Sequence, residues 1–84
     1  MNEQEMIAFL KEYDGHLYIN KDGVISRMDG ITPNGVYAYM EFVEDPVADA
    51  EHPSRVGMHG MLTVRCIREG RIWKKINETK GETK

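Results

Sequence analysis

The chain has a single cysteine, Cys66, in 84 residues. No intramolecular disulfide can form, so a small secreted scaffold held by bridges is excluded and a reducing, cytoplasmic setting is expected. Long apolar runs are absent: nothing approaches the roughly 20 residues that span a bilayer. The acidic start Met1-Asn2-Glu3-Gln4-Glu5 lacks the basic and apolar regions of a signal peptide. Also missing are a Walker-type phosphate loop, a Gly-x-Gly-x-x-Gly turn and any Cys-x-x-Cys or His-x-x-x-His pair. Phosphate-cradling enzymes and structural zinc sites are thereby disfavoured.

Basic side chains are scarce in the first part of the chain. Residues 1–54 carry 3 Lys or Arg against 11 Asp or Glu, and residues 55–84 carry 8 against 3, within a net charge of −3. Such a split suits either two charged faces for two partners or mutual pairing in the fold. A chain this short forms one domain that buries roughly 60–65% of its unfolded surface. Its stability is on the order of 4–12 kcal/mol. A deep catalytic cleft with its own supporting shell is hard to fit, and no catalytic residue or cofactor is expected.

The most ordered stretch is Val36–Glu44. Val36, Ala38, Met40 and Phe42 alternate with Tyr37, Tyr39, Glu41 and Val43, so both faces are largely apolar. The stretch reads as a central strand covered on both sides. Ahead of it, residues 2–14 predict a helix. Met6, Phe9, Leu10 and Tyr13 form one stripe with Ile7 beside it, Asn2 and Glu5 make a capping pair, and Gly15 ends the helix. Short strands at 16–20 and 24–28 follow, joined by Asn20-Lys21-Asp22-Gly23 in a register that sets Ile19 opposite Ile25. In Thr32-Pro33-Asn34-Gly35 the last two residues are expected to supply left-handed conformers.

Residues 45–59 form the longest non-periodic segment, with two of the three prolines and two of the three histidines. Connections of this length in small domains are usually functional or mobile. Beyond it, 61–68 and 71–77 read as two strands of a hairpin turning at Glu69-Gly70. Leu62, Val64 and Cys66 share one face of that hairpin with Trp73. The polar segment 78–84 is expected to be a disordered tail behind a single domain at 1–77. The fold class is α+β, one N-terminal helix on a bent antiparallel sheet of four to five strands. A small SH3-like or OB-like barrel is the nearest architecture.

Three constellations carry functional expectations. The acidic set Glu44, Asp45, Asp49 and Glu51, with His52 and Arg55 in the same loop and Tyr37 and Tyr39 as aromatic anchors, suits a protein partner. The basic hairpin Arg65, Arg68, Arg71, Lys74 and Lys75 around Trp73 suits single-stranded nucleic acid, or else a charged edge that resists aggregation. If the sheet closes, Tyr37, Tyr39, Trp73 and nearby arginines would line a pocket for a nucleotide or other anion. His52, His59 and Cys66 are seven positions apart and make no metal site. The leading expectation is a small non-enzymatic regulator or inhibitor, of the kind mobile elements encode, bound to another macromolecule. A nucleic-acid module and an anion binder stand as alternatives, with a monomer or an edge-strand homodimer as the assembly.

Overall fold

Helix α1 spans Glu3–Tyr13, and local chemistry sets both of its ends. The Asn2 carboxamide accepts the Glu5 N–H at 2.8 Å, and the Glu5 carboxylate accepts the Asn2 N–H at 2.9 Å. This capping box satisfies donors that a helix start otherwise leaves unpaired. The Asp14 N–H bonds back to the Leu10 carbonyl, and Gly15 then turns to φ +78°. Replacing Asn2 with alanine is expected to cost about 1 kcal/mol. In a thermal melt that is a fall of roughly 4–8 °C for a domain of this size; an unchanged melting point would mean the cap contributes nothing.

In the computed structural model, residues 1–76 are described. The expected tail at 78–84 and the last residue of the expected strand 71–77 lie outside them. Strand β1 is Leu17–Ile19 and β2 is Ile25–Ile31, with Ile19 opposite Ile25. The Asn20 side chain accepts the N–H groups of Asp22 and Val24 at 2.9 and 3.0 Å. A register shift between Met28 and Ile31 marks a bulge, where Gly30 adopts φ +97°. Its N–H donates to the Asp14 carboxylate at 2.7 Å, tying the end of α1 to the sheet. In the following turn only Gly35 is left-handed. Asn34 contributes through its side chain, which accepts the Val36 N–H at 3.0 Å and the Thr32 hydroxyl at 2.6 Å.

Strands β3 (Tyr37–Glu44) and β4 (His59–Thr63), helix α2 (Val64–Glu69) and strand β5 (Lys74–Lys75) complete the order. The sheet is antiparallel, in the order β4-β3-β2-β1-β5. The α+β class with an N-terminal helix holds, but the sheet is open and not curled into a barrel. The expected strand 61–68 stops at Thr63, whose hydroxyl accepts the Cys66 N–H at 3.1 Å and caps α2. Val64 and Ile67 then fall one helical turn apart and both are buried, while Gly70 closes the helix at φ +66°. With the chain diverted, β5 reaches the far side of the sheet and pairs with β1. The hairpin expected between 61–68 and 71–77 therefore does not form.

Both helices cover one face. Phe9 from α1 and Val64 and Ile67 from α2 share a cluster with Tyr18, Met28, Ala38 and Met40. Leu10, Tyr13, Ile31, Leu62 and Trp73 pack around it. Two expectations for Val36–Glu44 change: β2 holds the central position, and β3 is covered on one side only. Ala38 and Met40 are buried; Tyr37 and Tyr39 are not.

Candidate interaction surface

The pleat of β3 sends Tyr37, Tyr39 and Glu41 to the face opposite the helices. Register then decides their neighbours. Tyr39 lies across from Met61, Tyr37 from Thr63, and Glu41 from His59 on one side and Arg27 on the other. Directly opposed residues share a face. Tyr37, Tyr39 and Met61 are 41%, 40% and 56% exposed. Arg27 and Glu41 approach to 3.7 Å at their polar margin. The face thus presents two aromatic rings and a thioether, and among the described residues no helix lies over them.

The acidic loop is more tightly built than its composition suggests. Asp45 accepts three hydrogen bonds from Arg55: from the backbone N–H at 3.0 Å, and from Nε and Nη2 at 2.9 Å each. The Asp45 side chain is 1% exposed. Hydrogen bonding from the guanidinium holds its carboxyl down from 3.8 to about 2, and raises Arg55 in return. The guanidinium also lies 5.0 Å from the Phe42 ring centre. Asp49 closes a second turn, its carboxylate accepting the N–H groups of Glu51 and His52 at 2.9 and 2.8 Å. His52 Nδ1 stands 3.3 Å from the same oxygen. Asp45 and Asp49 are thus occupied in holding the loop. Glu44 and Glu51 have no side-chain hydrogen bond or ion pair among the described residues.

The five cations of the expected basic hairpin are distributed over α2, its exit and β5. Arg65 and Arg71 both pair with Glu69, at 3.1 and 3.5 Å. Arg68 lies 5.4 Å from the Phe9 ring centre. Lys75 donates to the Glu12 carbonyl at 2.7 Å and lies 5.4 Å from the Tyr13 ring centre. Lys74 has no such partner among the described residues. Trp73 packs half-buried against the core cluster on the helix side, whereas Tyr37 and Tyr39 face away from it. These three rings do not line a common pocket.

His59 is exposed on β4 and Cys66 half-buried on α2. Among the described residues no group of three His, Cys, Asp or Glu side chains converges as a ligand set. No helix among them is long and apolar enough to cross a membrane. Met61 is the surface residue that sequence reading placed no weight on. The pattern gave it a face, but only the β3–β4 register sets it beside Tyr39. Set against known proteins, the chain matches no family model, no curated protein and no solved structure, so its function has to be argued from these residues.

Proposed function

We propose that this is a non-enzymatic binding protein that acts on another protein, as a regulator or inhibitor, through the helix-free face of its sheet. The observation that supports this reading is the contiguous exposure of Tyr37, Tyr39 and Met61 on that face. Aromatic residues and methionine are enriched in interface centres, and tyrosine supplies a large contact area at low conformational cost. Glu44 and Glu51 are the acidic positions of the original set left free to meet a basic rim on the partner. Asp45, Asp49 and Arg55 keep the loop in shape and contribute indirectly.

The test is affinity capture with wild type and with a Tyr37→Ser, Tyr39→Ser double variant, matched for folding by circular dichroism. A partner held by wild type should lose about 100-fold or more in affinity for the variant, the scale of two central aromatic anchors. A partner retained at equal affinity would overturn the assignment of this face. Titration with labelled single-stranded DNA or RNA at low salt is expected to show no binding, because the cations are spread over three elements and mostly engaged.

A further inference from the structure

The two edges of the sheet are built differently. At one end, β5 is two residues long and both are exposed lysines. Short length and lysine are the features that stop an edge from recruiting another strand. At the other end, β4 is His-Gly-Met-Leu-Thr, five residues with no charged side chain, no proline and no register shift against β3. One edge is guarded and the other is not.

The ladder shows where the free backbone of β4 points. Val64 donates to the Val36 carbonyl, Phe42 donates to the Met58 carbonyl, and Gly57 donates to the Phe42 carbonyl. Hydrogen-bonded pairs alternate with non-bonded ones in an antiparallel ladder. Gly60 and Leu62 therefore continue the bonding to β3, and the N–H groups of His59, Met61 and Thr63 point outward. The Thr63 carbonyl is committed to the first turn of α2; those of His59 and Met61 remain available. All three side chains are exposed, with Val56 and Met58 also exposed next to them.

We propose that β4 pairs with β4 of a second copy, antiparallel about a two-fold axis at Met61, so that the sheet runs on across both copies. This goes beyond the reading of the tyrosine face and does not depend on it. The strand is self-complementary in that register. The two Met61 residues exchange both backbone hydrogen bonds, and each His59 stands opposite Thr63 of the second copy. The Thr63 hydroxyl oxygen already accepts the Cys66 N–H, so its proton is free for the imidazole facing it. The uncharged strand places no like charges against each other at the axis, so pairing adds no local repulsion to that between two chains of net charge −3. Tyr39 flanks Met61 in each copy, so the apolar strip becomes continuous through the axis. Pairing of five residues buries less than the roughly 1,000 Å² that marks a strong interface, which makes the dimer sensitive to dilution.

Sedimentation velocity on the full chain across a dilution series tests this. Wild type is expected to form dimers at high concentration and to dissociate on dilution. Met61→Lys and Met61→Glu, each placing like charges at the axis on a half-exposed position, are each expected to be folded monomers throughout. An equimolar mixture of the two should restore the dimer, because lysine then faces glutamate. A wild type that stays monomeric at every concentration overturns the proposal, including the case where β4 gains amide protection only with a different protein. A dimer that survives both substitutions, or a mixture that fails to pair, overturns it equally.

Discussion

Replacing Tyr18 with alanine is expected to remove roughly a quarter or more of the stability of the fold and to lower its unfolding midpoint sharply. Tyr18 has no exposed surface and sits within the cluster that joins both helices to the sheet. Truncating a buried aromatic costs about 3–5 kcal/mol, against a total stability on the order of 4–12 kcal/mol. The ring is only part of its contribution. Its hydroxyl donates to the Tyr13 carbonyl at 2.6 Å, one of the groups that the end of α1 leaves without an intrahelical donor. Tyr18→Phe keeps the packing and isolates that bond, with an expected loss of about 1 kcal/mol. Urea unfolding followed by circular dichroism separates the two. A cooperative transition for Tyr18→Ala near the wild-type midpoint would show that the core is organised around something else.

The second large effect is acid loosening of the loop between β3 and β4. Asp45 titrates near 2 when folded and near 3.8 when released. The unfolded form therefore binds more protons in that interval, and stability rises with pH across it. The contribution is complete above about pH 4 and is lost as pH falls toward about 2. Protonation weakens all three bonds from Arg55, and Asp22 is the other acidic group acting on that guanidinium. In an NMR pH titration of the folded chain the Arg55 Nε–H signal should keep its paired position through pH 4 and move toward its free position only as the pH approaches about 2. Asp45→Asn should show the released position already at neutral pH. A signal that moves near pH 3.8, the value of the released carboxyl, would mean that the pair does not hold the loop.

Features whose chemistry is local were legible in the sequence. The capping box at Asn2 and Glu5 and the Ile19–Ile25 register need only residues within one helix turn or one hairpin. The segment 61–68 reads as a strand from pattern alone because Leu62-Thr63-Val64-Arg65-Cys66-Ile67 satisfies a period of two and a period of 3.6 over so short a run. Thr63 as a cap, with Gly70 seven residues later, was the signal that favoured a helix. Once α2 replaced that strand, β5 had no sequence neighbour to pair with, and its partner β1 lies too far along the chain for pattern to show.

The candidate site was legible to a similar depth. Tyr37 and Tyr39 stand out in the sequence by residue type, yet the pattern alone reads their outward face as a buried one, because alternation does not say whether a second layer exists. Asp45 and Arg55 were both picked out as surface groups. Ten positions apart, nothing in their spacing shows that they bond each other, with Asp45 buried by the bond and Arg55 still exposed. Their bond also joins the acidic first part of the chain to the basic second part, which the charge split allowed without specifying where.

The strand order has a consequence for how the molecule assembles and comes apart. Strands β1 to β4 follow one another across the sheet as they do along the chain, and only β5 crosses to the outside of β1. That last pairing closes a loop of about 55 residues for the sake of two rungs, an entropic cost that nothing repays until the rest is in place. The transition state for folding is therefore expected to be reached with β5 still detached, so that substitutions in β5 should change the rate of unfolding and leave the rate of folding unchanged. The bond from Lys75 to the Glu12 carbonyl is then a kinetic fastener: the edge that joins last is the edge that opens first.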